Sequence, residues 1–472
     1  MFPGLSATYW LTLHGLVTVL AVLLYVITSR LLQQRRHPSA AIAWVLFILL
    51  MPYVALPVFW TFGSRKQARP RAKALPEAPA AIAHQPWPAR TAIALGQPEP
   101  APYDALHLHA DGSAALAALW QVIDGAAHTL DVCTFILGDD SLGEQVVQRL
   151  VARARAGVRV RLMLDGLGRW IGGRPDLKPL ARAGVALTLF VPPLHSPLKG
   201  RTNLRNHRKL LVADAAHEGR RLWCGGRNLA SEYFEGSAGA APWRDLSFDL
   251  RGVLVLQASA LFEHDWAFAN GRRGARAAVP PPPPPPAAAL HEHGEVLGQL
   301  IASGPDQVDD TVHALLITAA YRAGRRLRLA TPYFVPDPAL LTALCLAARR
   351  GVEVDLLLPA RSNHRMSDLA RRRALRSLSD AGGHVWFTPH MLHAKLVVID
   401  DVVAYTGSTN LDGRSLFLNY ELMFAFQEGS AIAACAHWFD QERSLAARHL
   451  PARAGLWSDL AEGMVLWLGF QL

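Results

Sequence analysis

One short pattern of histidine, lysine and aspartate occurs twice in this chain, and the two copies are in register. His207-Arg208-Lys209 is followed by Asp214, and His393-Ala394-Lys395 by Asp400. Both read H-x-K-x-x-x-x-D, with 186 positions between equivalent residues. A glycine- and asparagine-bearing loop trails each copy: Gly225-Gly226-Arg227-Asn228 after the first, Gly407-Ser408-Thr409-Asn410 after the second. A chain that repeats itself in this way must build one local element twice. Side chains alternate along a strand, so a His and a Lys two places apart point the same way. The aliphatic residues that follow predict buried strands over 207–213 and 393–399. A neutral imidazole can attack phosphorus or carry a proton, and a neighbouring ammonium neutralises non-bridging phosphate oxygens. Each Asp falls seven places after its His, on the opposite parity. It is expected at the strand's end, as a turn or ion-pair residue rather than a reacting group.

The repeat extends beyond the motif. Val158 to Leu164 after Gly157 mirrors Val352 to Leu358 after Gly351, and each follows a helical pattern (145–156 and 339–350) ending in basic residues and a glycine. A further strand is predicted upstream of each helix, Leu130 to Leu137 and Leu327 to Phe334. Strand–helix–strand order with aliphatic strands predicts an α/β fold of two lobes around mixed sheets, facing one another across the motif strands. The copies differ in detail. From Gly184 to His207 is 23 positions, but from Gly382 to His393 only 11. The first half thus carries a basic insertion, about His195 to Asn206, which is a candidate headgroup-binding or gating loop or a plain surface loop. It also has Gly226 where the second has Ser408, and so one hydroxyl fewer.

Both motifs resemble the HKD signature of the phospholipase D superfamily, in which two half-sites of a pseudo-repeated chain form one active centre. The stretch from Gly407 to Leu416 running on to Asn419-Tyr420-Glu421, with Pro332-Tyr333-Phe334-Val335-Pro336 upstream, resembles bacterial cardiolipin synthases. That resemblance implies phosphatidyl transfer between two phosphatidylglycerol molecules, giving cardiolipin and glycerol through a phosphohistidine. By family analogy His207 is the nucleophile and His393 the acid/base. Lys209, Lys395, Asn228, Ser408 and Asn410 are expected on the phosphoryl oxygens. An acid on the strand after the trailing loop is expected to orient each imidazole: Asp245 for His207 and Glu421 for His393. No metal or other cofactor is implied, and the partners are anionic phospholipids and the membrane rather than nucleic acid. A phospholipase D hydrolase, or a phosphatidyltransferase with phosphatidylethanolamine as donor, would share these residues. A membrane-bound nuclease or a non-catalytic scaffold accounts for less of the pattern.

Composition supplies the setting. Two apolar runs, Leu5 to Thr28 and Ala40 to Phe62, are each long enough to span a bilayer, the second kinked by Pro52 and Pro57. They are expected to form a multi-pass hairpin anchor in the bacterial inner membrane, within residues 1–63. Three Lys/Arg lie between the runs and five in 63–73, which places the catalytic lobes on the cytoplasmic side. Residues 64–102 are expected to be a basic Pro/Ala-rich linker, 103–270 the first lobe, 271–290 a linker with seven consecutive prolines, and 291–472 the second lobe, with an apolar tail at 464–470. The net charge of +10 suits an anionic partner. Four dispersed cysteines suggest neither a disulfide framework nor a zinc site.

Overall fold

Each half folds around one mixed sheet, and equivalent strands occupy equivalent places in both. The computed structural model describes residues 7–31, 38–62, 85–192, 203–237, 239–271, 296–307 and 310–450, with Gly455 and Glu462. The first sheet runs, strand by strand, Asp104–His109, Ser247–Arg251, Arg221–Gly225, Leu210–Ala213, Thr129–Thr134, Arg159–Asp165, Ala186–Phe190. The second runs Ala101–Pro102, Leu297–Ser303, Glu421–Phe426, Val403–Gly407, Leu396–Ile399, Arg326–Ala330, Glu353–Pro359, His384–Thr388, Ala447–His449. In both, the strand that follows the motif lies antiparallel to the one before the crossover helix.

The crossover helices form where periodicity and capping coincide. Asp140 caps Ser141–Arg155 by accepting from Gly143 N–H, and Asp337 caps Pro338–Arg349 by accepting from Ala339 and Leu340 N–H. Their apolar stripes cover the outer sheet faces, Val146 and Leu150 beside Val132 and Leu162, and Leu340 and Leu344 beside Leu329 and Leu356. Between the sheets a third core joins the halves. Phe248 packs on Phe424 and Phe426 with ring centroids 5.2 and 5.4 Å apart, under the helix Val255–Ala269. Burying such an aromatic contributes about 1.5–3 kcal/mol, so the halves are held together by a core and not merely by a tether.

Two expectations about the N-terminal third need correcting. One helix, Ala7–Leu31, is long and apolar enough to cross a membrane, over Tyr9–Ile27. The second run divides at Pro52 into Pro38–Leu50 and Pro52–Phe62. A proline has no N–H to continue the ladder. The pieces, of 13 and 11 residues, are separated by Met51 alone, whose N–H donates to Phe47 O and whose O accepts from Ala55 N–H. Among the described residues the second run is thus not one long helix, and Tyr25 of the first helix and Trp44 both pack on Phe59. Residues 87–102 are not linker either. Trp87–Ala94 is a helix, and Ala101–Pro102 pairs with Leu297–Ser303 as an edge strand of the second sheet. The rest of the basic linker, the polyproline tract, residues 195–202 of the insertion and the apolar tail lie outside the described residues.

Candidate active site

The two motifs do not lie in strands. Those strands begin at Leu210 and Leu396, and the three motif residues before each form an extended lead-in. At their histidines the lead-ins pair with the opposite half. His207 N–H donates to Tyr420 O at 2.9 Å, and Tyr420 N–H donates to Arg205 O at 2.8 Å. Symmetrically, His393 N–H donates to Arg244 O at 2.6 Å, and Arg244 N–H to Met391 O at 2.8 Å. Two parallel bridges, Asn206 with Tyr420 and Leu392 with Arg244, thus stitch the halves together at the motifs.

This crossing decides which acid meets which histidine. Glu421 follows Tyr420, and its carboxylate lies 3.0 and 3.1 Å from His207 Nδ1. Asp245 follows Arg244, and its Oδ2 lies 2.7 Å from His393 Nδ1. Sequence reasoning paired each histidine with the acid of its own half; the structure exchanges them, because each acid sits on the strand stitched to the other lead-in. Carboxylates hold the two Nδ1 atoms, and Lys395 Nζ lies 3.1 Å from His393 Nε2. Glu421 is itself held by Ser408 Oγ (2.5 Å), Ser415 Oγ (2.9 Å) and Asn419 Nδ2 (3.3 Å).

The electrostatics are those of one shared centre. Burial, then the Lys395 ammonium, pushes the His393 imidazole down to about 3, against the pull of Asp245. His207 is lowered by burial, although Glu421 opposes this, and Lys395 of the other motif contributes. Burial brings Lys209 down to about 8 and Lys395 to about 7, with both Glu421 and Asp245 acting to raise them. Burial disfavours the charged form of Asp245, but His393 and Lys395 outweigh it and hold that carboxylate at about 2. Aromatic rings wall the imidazoles: Phe135 stands edge-on to His207 at 5.1 Å, and Tyr233 and Trp243 approach His393 at 5.1 and 5.6 Å. None of the three was identifiable in the sequence without the fold.

Asp214 and Asp400 play the structural part their parity suggested. Each turns the chain in the left-handed region, with φ of 53° and 47°. Asp214 accepts N–H bonds from Ala127, His128 and Thr129 at 2.7–2.8 Å, and Asp400 from Gly324, Arg325 and Arg326 at 2.7–2.9 Å. Burial alone would raise both carboxyls, yet the three N–H groups lower them. Each motif Asp therefore fixes the entry to the strand that flanks its motif.

The trailing loops depart from expectation. Asn228 is committed to the fold, accepting from Ile136 N–H at 3.2 Å and donating to Tyr233 Oη at 2.7 Å. Ser408 serves Glu421, as above, rather than facing outward. Asn410 is buried with its Oδ1 unpartnered. The missing serine of the first half has a steric cause: a Cβ on Gly226 would lie 2.3 Å from Asp245 Oδ1. Aspartate is one carbon shorter than glutamate, so its carboxylate draws close to the loop and the loop must be bare there. Arg208, the variable residue of the first motif, is fully buried. It forms an ion pair with Asp265 and donates to Glu421 O (3.0 Å) and Ser303 O (2.9 Å) in the other half. Away from this centre, Glu353, Asp355 and His384 converge at metal-ligand spacing, but Asp355 is already occupied by Arg326, Arg443 and Trp386.

Two half-sites, each a histidine and lysine completed by an acid from the other half, define a phospholipase D-type phosphodiester-transfer centre. The family model described as cardiolipin synthase, PLD-like domain, matches residues 119–266 and 316–443. Cardiolipin synthase A of Pseudomonas fluorescens (strain SBW25) is 33% identical over 479 residues, 95% of this chain and 96% of that one. Cardiolipin synthase A of Pseudomonas entomophila (strain L48) is 32% identical over 435 residues, 88% of this chain and 87% of that one. The crystal structure of phosphatidylserine synthase from Haemophilus influenzae Rd KW20 shares the fold, with a TM-score of 0.57 over 82% of this chain and 100% of that one at 11% identity. The chain belongs to the cardiolipin synthase family of phospholipase D-like proteins.

Proposed function

We propose that this enzyme is a phosphatidyltransferase that joins two phosphatidylglycerol molecules into cardiolipin and releases glycerol. The observation that carries the reading is the crossed pair of His–carboxylate contacts, which leaves two Nε2 atoms beside two lysines in one buried centre. Nε2 of one histidine attacks the donor's phosphorus as the bond to the glycerol oxygen breaks. The other histidine gives that oxygen its proton. The second histidine, now neutral, takes the proton of an acceptor hydroxyl, whose oxygen forms the new P–O bond as the P–N bond breaks. Lys209 and Lys395 would neutralise the equatorial oxygens. Glu421 and Asp245 keep each Nδ1 protonated and stabilise the imidazolium that forms. The substrates are phospholipids and the enzyme is membrane-associated; the basic residues at 63–73 favour lobes on the cytoplasmic side of a bacterial inner membrane.

Full-length protein incubated with phosphatidylglycerol in mixed micelles should yield diphosphatidylglycerol and free glycerol. Phosphatidic acid as sole product would sink the transferase reading, and undiminished turnover by His207→Ala or His393→Ala would sink the two-histidine mechanism.

A further inference from the structure

The centre is pseudo-symmetric in its histidines but not in what stands beside them. The bridge between Asn206 and Tyr420 fixes which side chains share a face. Asn206 points away, to Asp265 at 2.9 Å, and Tyr420 packs on Phe190 and Phe268. By alternation Arg205 and His207 share the opposite face, as do Asn419 and Glu421 across the bridge. Arg414 joins them: its backbone O accepts from Asn419 N–H, and its guanidinium donates to Asn203 Oδ1 and Asn203 O, both at 3.1 Å. Arg205 reaches the next carbonyl along, Leu204 O, at 2.6 Å. The two guanidiniums therefore contact adjacent residues of one segment.

These cations lack ion-pair partners. Among the described residues no carboxylate oxygen lies within 4.0 Å of either guanidinium. The Nε of Arg205 and the Oδ1 of Asn419 are buried with no hydrogen-bond partner. Burial depresses both arginines, and Arg205 further depresses Arg414. Asp165 and Asp412 act the other way from beyond contact, with their carboxylates taken up by backbone N–H groups of Leu167, Gly168 and Asn206, and of Ser415. The equivalent positions beside His393 are Met391, Trp243 and Glu232, whose backbone O accepts from Trp243 N–H as that of Arg414 does from Asn419, and none of them is a cation. One shoulder of the site is cationic, and its counterpart carries an acid and no cation.

We propose that Arg205 and Arg414 bind the phosphodiester monoanion of the second lipid, the one that supplies the hydroxyl, while its glycerol headgroup donates to Asn419 Oδ1. This inference rests on the transferase reading above. Transfer between two identical phospholipids brings two phosphates into one cleft. One meets the histidines and lysines; the other keeps its charge throughout and needs a separate cation site. A single cationic shoulder gives the acceptor one place to lie, so a near-symmetric centre can tell two copies of the same molecule apart.

The test uses full-length enzyme in mixed micelles and two acceptors. Cardiolipin formation needs the second phosphate, whereas exchange of radiolabelled glycerol into phosphatidylglycerol uses a neutral acceptor and the same donor chemistry. Arg205→Gln and Arg414→Gln should each lower cardiolipin formation about ten- to hundredfold, the worth of a charge-assisted contact, and leave glycerol exchange within about threefold. Arg205→Lys and Arg414→Lys, which keep the charge, should show the same selectivity to a smaller degree. Equal loss of both reactions in the Lys variants, or cardiolipin formation unchanged in the Gln variants, overturns the proposal. Wild-type enzyme that makes only phosphatidic acid would instead overturn the transferase reading itself.

Discussion

The exchange of acids between halves can be tested with Glu421→Gln. The carboxylate accepts from His207, Ser408, Ser415 and Asn419, and the amide keeps its shape but loses its charge. A buried carboxylate in contact with an imidazole raises its pKa by about 1–3 units, or about 1.4–4 kcal/mol. That is the stabilisation an imidazolium at His207 loses in the transition state, so kcat should fall about ten- to a thousandfold. The fall alone does not say which histidine is affected. Diethyl pyrocarbonate modifies only neutral imidazole, and peptide mass spectrometry resolves each site, with exposed His107 as internal reference. Because Glu421 raises His207, its removal should move the acid limb of His207 labelling to lower pH by at least one unit and leave that of His393 in place. Asp245→Asn should do the reverse. A shift at His393 and none at His207 in Glu421→Gln would refute the crossed arrangement.

Asp214→Ala removes three N–H bonds and leaves alanine at positive φ, so it should cost about 2–4 kcal/mol of stability while kcat per folded molecule stays within about threefold. Thermal unfolding beside kcat checks this, and a hundredfold loss of kcat with unchanged melting would make the residue catalytic after all. Gly226→Ser, which nominally restores the missing hydroxyl, should displace Asp245 and lower kcat at least tenfold, whereas Ser408→Ala, losing one donor to Glu421, should cost about two- to tenfold. The buried lysines give a pH signature: kcat/KM should decline as pH rises through about 7 to 8, where Lys395 and Lys209 lose their protons in the free enzyme. The sign for stability is opposite. Between that range and the ordinary 10.5 the folded state binds fewer protons than the unfolded one, so the melting temperature should rise with pH, less steeply in Lys395→Met.

How much of this was legible depended on whether a feature was local. The motif, its duplication and the helices before Gly157 and Gly351 are periodic or contiguous, and they stand where the residues put them. Asp214 and Asp400 stand at the strand ends, as expected, although the strands begin at Leu210 and Leu396 and not at the histidines. The failures are contacts between halves. His207 and Lys209 read as strand because the aliphatic run begins right behind them, yet the His207 N–H goes to Tyr420, over two hundred residues away. Nothing in the spacing of Asp245 or Glu421 says which histidine each will meet. Gly226 read as a lost hydroxyl, although it marks the place where a shorter acid comes close. The second apolar run was expected as one kinked helix, and Pro52 divides it into two.

The crossed acids also bear on when the enzyme becomes competent during synthesis. A nascent chain exposes His207 and Lys209 long before residue 421 of 472 has left the ribosome, and until then His207 has no acid to hold its ring. His393 likewise waits for the halves to dock before Asp245 can reach it. A chain truncated before Glu421 keeps every residue of both motifs and still lacks one of its two working imidazoles. Each imidazole thus meets its acid only once the two halves have been made and have docked.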